Sequence, residues 1–307
     1  MYDKSDPRAS LAAAAPVAAK AAATEFSGAE YAKFYETPPQ NKDGHASTWL
    51  ARGQNFIIAY SDATAGAVFE RKAQPDEYVL LLPDKETSAV IEAAGEKKSV
   101  AGYSIAFVPP GASKITIAGK GRVIRMFSTQ SHDLAAQCSN AGSYAKPHPN
   151  IPPFAPWPTP KDGFKLRTYS LDVADEPGRF GRIWRCSTFM VNFLPPQHGP
   201  REVTKLSPHF HDDFEQCSLV LEGAFTHHLR WPWTVNMHAW RKDDHEYCGS
   251  PSVTVIPPPA IHTSRGMDPG INLLVDIFSP PRIDFSLKPG WVLNTKDYPI
   301  PDGAASA

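Results

Sequence analysis

Paired cysteines are missing from this sequence. Cys138, Cys186, Cys217 and Cys248 are its only four, widely spread. None forms a C-x-x-C pair, so neither a zinc knuckle nor a thioredoxin-like redox motif is present. Unpaired thiols are expected, in a cytoplasmic protein. An excess of one charge is missing as well. The 31 Lys and Arg stand against 32 Asp and Glu, which argues against a basic surface for nucleic acid or an anionic membrane. No apolar run approaches the ~20 residues that a membrane helix needs. The N-terminal stretch is mostly alanine, broken by Pro16 and Lys20, and Asp3 and Asp6 offset Lys4 and Arg8. It reads as a loose, flexible arm rather than a secretory signal. Long segments of helical periodicity are also scarce.

What is present can fill a core: apolar residues make up 42 % and aromatics 11 %, which excludes wholesale disorder. Proline is abundant at 31 residues, about twice the usual share of ~5 %. Short apolar runs (FIIAY, YVLLL, YSIAFV and KITIAG, then FMVNFL, CSLVLEGAFTHHL, SVTVIPP and NLLVDIFS) are each bounded by Pro, Gly or charge. That pattern predicts an all-β protein. The chain divides into an N-terminal arm (1–50), a first β unit (51–146), a proline-rich linker (147–165), a second β unit (166–290) and a tail (291–307). Two windows suggest that one unit is used twice. FVPPGASKITIAG from Phe107 lies over VIPPPAIHTSRG from Val255, and ERKAQPDEYVLLLPD from Glu70 lies over HFHDDFEQCSLVLEG from His209. In this register Glu70, Lys72, Glu77 and Lys114 oppose His209, His211, Gln216 and His262.

The chemistry concentrates in the second unit. Residues i and i+2 of a strand share a face, so His209 and His211 can present two imidazoles to one point. His262 follows Pro257-Pro258-Pro259, a rigid turn, and is the natural third.

These residues resemble the cupin superfamily. Its first motif is H-x-H, three or four residues, usually Glu, six residues, then Gly; its second is Pro-x-Gly, two residues, then His. His209, His211, Gln216 and Gly223 match the first, and Pro257 and His262 match the second with Pro259 in place of the Gly. The resemblance implies two tandem cupin-type jelly-roll barrels, a bicupin. It also implies one divalent transition metal in the C-terminal barrel, with Fe favoured over Mn, Ni, Zn or Cu. The fourth ligand stays open between Gln216, by spacing, and Glu215, by chemistry. In the first unit every expected imidazole is replaced, so that barrel is expected to hold Lys–carboxylate pairs instead of a metal.

Further residues could serve a substrate. His227 and His228 follow Gly223, and strand alternation sends one of them inward; His228 is taken as the acid/base candidate. Among Arg182, Arg185 and Arg265, the last, close behind His262, is taken as the carboxylate-binding candidate. Trp231, Trp233 and Trp240, with His238, could form a lid over an aromatic substrate. Three functions follow. The first is a dioxygenase acting on a small aromatic or organic-acid substrate together with dioxygen. The second is a non-redox isomerase, lyase or hydrolase on a sugar acid or other small oxyanion. The third is a non-catalytic binding protein. A homodimer is a family-level expectation.

Overall fold

The computed structural model describes residues 7–10 and 25–304. Most of the alanine-rich stretch read as a loose arm, residues 1–6 and 11–24, lies outside them. The described chain is built almost wholly of antiparallel strands, arranged as two jelly-roll barrels. No helix among the described residues is long and apolar enough to cross a membrane.

Each barrel pairs one large and one small sheet. In the first, the large sheet runs in the order Arg167–Ser170, Ser104–Val108, Tyr78–Leu82, Gly121–Ser128, Phe56–Ala63, Ala46–Arg52 and Asn41–Lys42. Its small sheet holds Val68–Gln74, Gly111–Ala118, Ser88–Ala93 and Glu96–Val100. In the second, the large sheet runs Glu30–Lys33, Ser252–Ile256, Glu215–Glu222, Ile271–Ser279, Met190–Phe193 and Ile183–Arg185. The small one holds Asp244–Gly249, Ala224–Arg230 and Ile261–Gly266. Gly223 makes the turn between sheets. Its φ of 70° suits glycine, and a Cβ there would strike the Ile271 carbonyl.

The two large sheets pack against each other. Val79, Leu81, Ile105 and Phe107 from one meet Cys217, Leu219, Val253 and Val275 from the other in a shared core. The alternate residues face into each barrel. In the first barrel these are aliphatic too, among them Leu80, Leu82, Ile91, Ile115 and Ile117, so its interior is filled. In the second they include Gln216, Ser218 and Asp276, all buried. The central strands of both large sheets, such as Tyr78–Leu82, Ser104–Val108, Glu215–Glu222 and Ser252–Ile256, are buried on both faces, which is why their sequences lack a clean polar alternation.

Three boundaries differ from the sequence reading. The arm ends earlier than residue 50: Ala46–Arg52 belongs to the first barrel, and Glu30–Lys33 pairs with Ser252–Ile256 of the second. Arg167–Ser170, placed by sequence in the second unit, pairs with Ser104–Val108 of the first. The barrels thus exchange edge strands, which covers otherwise open edges. The tail is also anchored: Tyr298 is buried and donates its hydroxyl proton to Glu77.

The repeat register needs a correction of one residue. Glu70, Lys72 and Lys114 are exposed, and the Lys114–Glu70 pair, 3.5 Å apart, lies on the outer face of the small sheet. The inward residues are Arg71, Tyr78 and Ser113, and the Tyr78 and Ser113 hydroxyls are hydrogen-bonded at 2.9 Å. Arg71 pairs with Ser113 as His209 pairs with His262. Glu77 therefore corresponds to Glu215, not to Gln216. The two glutamates perform the same task in mirrored fashion. Glu215 accepts the backbone N–H groups of Gln54 and Asn55 at 3.0 and 3.1 Å. Glu77 accepts the Ser187 N–H at 2.7 Å. Each strut crosses from one barrel to the other.

Burial raises the Glu215 carboxyl from 4.5 to about 7, against the opposing effect of its two N–H donors. The folded protein therefore holds this proton more tightly than the unfolded chain, so the contribution is full below the unfolded value and fades as pH rises through the folded one. Relative to a Glu215→Gln variant, wild type is expected to lose on the order of 3 kcal/mol of stability between about pH 4.5 and 7.5. Paired urea titrations across that window check this; a constant difference would show that the carboxylate is not desolvated.

Candidate functional site

The three imidazoles named from the sequence do come together. His209 and His262 form an isolated antiparallel bridge, exchanging N–H···O bonds of 3.1 and 2.8 Å. Their ring centroids lie 4.4 Å apart, and His211 lies 5.0 Å from His262 and 6.3 Å from His209. Phe210, between the two histidines, is 63 % exposed, so alternation turns both imidazoles inward. The turn at Pro257-Pro258-Pro259 closes through Ala260, whose N–H donates to the Pro257 carbonyl.

Every ring is held the same way. Nδ1 of His209, His211 and His262 donates to the carbonyls of Ser207, Phe214 and Ala260 at 2.9, 3.0 and 2.9 Å. A carbonyl only accepts, so the proton of each neutral ring sits on Nδ1 and Nε2 is a bare lone pair. The rings are neutral because burial lowers all three pKa values, that of His262 to about 4, and mutual repulsion adds to this at His209 and His211. Nε2 of His211 and of His262 lie 3.3 and 3.2 Å from Gln216 Oε1. Gln216 Nε2 donates away from the cluster, to Asp276 Oδ1 at 3.2 Å and to Ser218 Oγ at 3.3 Å. Acceptor therefore faces acceptor with no proton between them. A cation is the species that such a donor set fits. The imidazoles alone fall short of closed ligand geometry: among the described residues no group of three or more His, Cys, Asp or Glu is poised to hold a metal. Gln216, an amide, is the additional oxygen donor at the cluster. Glu215 points the other way, into the contact between barrels.

The cluster opens into a cavity of about 390 Å³ whose wall includes His209, Gln216, His262, Ser264 and Asp276. Asp276 stands on the floor. Ser218 Oγ donates to its Oδ1 at 2.8 Å, as does Gln216. Burial raises its pKa, and the hydrogen bond from Ser218 opposes that. Arg8, Arg179 and Arg201 line the mouth. Asp276 is not among the residues that the sequence singles out. The available signal is a lone aspartate inside the apolar run NLLVDIFS, two residues after Leu274 on the inward face.

The remaining candidates lie elsewhere. His227, not His228, is the inward residue. It is fully buried, with Nδ1 2.8 Å from Ser264 Oγ. His228 sits on the outer face, with its Nδ1 2.8 Å from that of His245. Arg265 shares that outer face and donates to the Arg201 carbonyl. Neither His228 nor Arg265 lines the cavity, because the cross-strand pairs His227↔Ser264 and Thr226↔Arg265 fix opposite faces. Arg182 and Arg185 are buried structural groups: Arg182 donates to Tyr103 and the Leu171 carbonyl, and Arg185 to the Tyr298 carbonyl. The tryptophans do not cover the cavity. Trp231 is sealed among Phe26, Leu229, Ile256 and Ala260, and Trp233 and Trp240 stack on each other at 4.5 Å.

No protein-family description matches the sequence, and no curated protein matches it. Solved structures do resemble the fold. An oxalate decarboxylase from Lactobacillus farciminis, in its formate complex, superposes with a TM-score of 0.54 at 13 % identity, covering 82 % of this chain and 86 % of that one. A serine variant of the Bacillus subtilis oxalate decarboxylase superposes with a TM-score of 0.56 at 13 % identity, covering 87 % and 83 %. At that identity the likeness concerns the fold alone, two tandem jelly-roll barrels.

The tautomer assignment can be tested directly. In metal-free protein near neutral pH, ¹⁵N spectra of the imidazoles should show protonated Nδ1 and bare Nε2 for His209, His211 and His262. The opposite tautomer at His262 would break the acceptor-facing-acceptor arrangement.

Proposed function

We propose that the protein is a metal-dependent bicupin enzyme with one active centre, in the C-terminal barrel, acting on a small organic acid. The observation that carries this is the trio of neutral imidazoles, each pinned at Nδ1 by a carbonyl, with the Nε2 lone pairs of His211 and His262 beside Gln216 Oε1. His209, His211, Gln216 and His262 are the residues that would hold a divalent cation. Such a cation supplies Lewis acidity to a carboxylate or carbonyl placed against it. All four donors are neutral, so the full positive charge remains to attract an anion. The arginines at the mouth act in the same direction.

Asp276 then moves the proton. Its Oδ1 is committed to Ser218 and Gln216, and the residue lines the cavity. Burial keeps its proton affinity above that of an ordinary carboxylate, as a general acid or base working near neutrality requires. This arrangement favours cleavage or isomerisation without redox change. In the same two-barrel fold, the L. farciminis enzyme is an oxalate decarboxylase seen with formate, which supports a small carboxylate as substrate.

An oxygen-dependent reading keeps one observation in its favour: an all-neutral donor set stabilises a reduced metal such as Fe(II). The tryptophan lid that went with it is not formed, because the tryptophans pack away from the cavity, although Phe180 and Phe225 line its wall. Turnover without oxygen, with Mn(II), supports the first reading; obligatory oxygen consumption with Fe(II) supports the second.

Titration with Mn(II), followed by electron paramagnetic resonance, should give about one bound ion per chain. His262→Ala and Gln216→Ala should weaken binding by about tenfold or more, while Glu215→Ala should leave it unchanged. Metal loss in Glu215→Ala with retention in Gln216→Ala would overturn the ligand assignment. Once a turnover assay exists, Asp276→Asn should lower kcat by about 10²–10⁴-fold with a smaller effect on KM.

A further inference from the structure

His227 is fully buried, yet only one of its two ring nitrogens has a partner. Nδ1 lies 2.8 Å from Ser264 Oγ, whereas Nε2, equally buried, has no hydrogen-bond partner among the described residues. Ser264 lines the cavity together with His262, and His227 does not. The hydroxyl is therefore the cavity-side member of the pair. Both groups are fixed. The pairing His227↔Ser264 sets them opposite each other on the inward face of the small sheet. The Phe225 ring stacks beside the imidazole, 6.4 Å between centroids and 23° from parallel. The Ser264 carbonyl accepts from Arg201 Nη1 at 3.2 Å.

Two proton arrangements satisfy the contact. In one, the Ser264 hydroxyl donates to Nδ1, and the ring proton sits on Nε2 as a buried N–H without an acceptor. In the other, Nδ1 carries the proton and donates to Ser264 Oγ, and Nε2 is a bare lone pair. The ring has a single proton to place, because burial pushes its pKa down to about 3. Buried N–H groups are orphaned more rarely than buried acceptors, which selects the second arrangement. Ser264 Oγ then accepts from behind, and its own proton is left to turn toward the cavity.

We propose that Ser264 is a substrate-binding residue: a hydrogen-bond donor, oriented by His227, that recognises an acceptor oxygen on the organic acid at a distance from its carboxylate. His227 is a positioning residue, acting through Ser264. Ser264 follows His262 by two residues on one strand face, ~7 Å along the backbone. The donor therefore addresses a group a few bonds away from an oxygen held at the imidazole cluster. The substrate class is an acid with a second acceptor oxygen, such as an oxo acid, rather than a plain alkanoic acid. This inference rests on the metal-centre reading for the carboxylate, whereas the His227–Ser264 contact stands by itself.

Two measurements test it. In ¹⁵N spectra His227 should show a protonated Nδ1 and a bare Nε2, and Ser264→Ala should shift the Nδ1 resonance. A protonated Nε2 would overturn the proposal, because the hydroxyl proton is then spent on the ring. Calorimetric titration of Mn(II)-loaded protein compares levulinate with pentanoate, the same chain without the oxo group. Wild type should bind levulinate about fivefold more tightly, the worth of one neutral hydrogen bond. Ser264→Ala should abolish that preference and leave Mn(II) affinity unchanged. His227→Leu should remove most of it, and His227→Asn, whose amide N–H takes the place of Nδ1–H, should restore part. Equal or undetectable binding of the two acids by wild type, or an undiminished preference in Ser264→Ala, overturns the assignment. If wild type binds no Mn(II), the metal reading fails by itself, and the two acids are compared without added metal. A levulinate preference that Ser264→Ala removes then supports the role of Ser264, and any other result overturns it.

Discussion

The contact between the two large sheets constrains everything else in the molecule. Side chains of alternate residues, Cys217, Leu219, Val253 and Val275 on one side and Val79, Leu81 and Phe107 on the other, must be apolar because each barrel buries them against its neighbour. The strands are then left with one face on which polarity is a choice, the face turned into each barrel. In the first barrel that face is filled with aliphatic groups. In the second it carries Gln216, Ser218, Asp276 and, across the cavity, His262. One barrel has become a packed support and the other a hollow centre, from the same strand plan.

The hollow barrel meets much of its polarity with neutral groups held by hydrogen bonds. Neutral imidazoles cost less to bury than charged ones, and each is made neutral by the low dielectric that surrounds it. Backbone carbonyls then choose the tautomer. Ser207 and Ala260 lie two residues before His209 and His262, and Phe214 three residues after His211, so each orienting group is local in sequence and rigid in space. Gln216 is oriented in turn by Asp276 and Ser218. The donor set is preorganised by hydrogen bonds that also ensure it has no protons to offer. That arrangement is what supports the proposed cation site.

Much of this was legible in the sequence. The short bounded apolar runs announced an all-β chain, the resemblance implied the two barrels, and the spacing of His209, His211, Gln216 and His262 named the cluster. What was not legible depended on which face of a strand is buried against what. Glu215 shares its face with Cys217 and Leu219 and so goes to the interface; two-sided burial hides this, because both faces of the strand look like core. The same ambiguity shifts the repeat register by one residue, so that the pairing of the two windows turns Glu70, Lys72 and Lys114 inward although they are exposed. It also leaves His227 and His228 undecided until the pairing His227↔Ser264 fixes the inward one. Asp276 escapes notice because a single aspartate in an apolar run carries no spacing signal of its own.

Strand exchange explains a contact that no local pattern could have suggested. Glu30–Lys33 leaves its own barrel and pairs with Ser252–Ile256 of the other, one strand over from Gln216. The beginning of the described chain is thereby committed to the side of the molecule that holds the cavity. Phe26 and Ser27 continue this attachment: Phe26 packs against Trp231 and Ala260, and the Ser27 carbonyl accepts the Trp231 indole N–H. An exchange that covers sheet edges for stability therefore also places Phe26 and Ser27 against the barrel that holds the cavity.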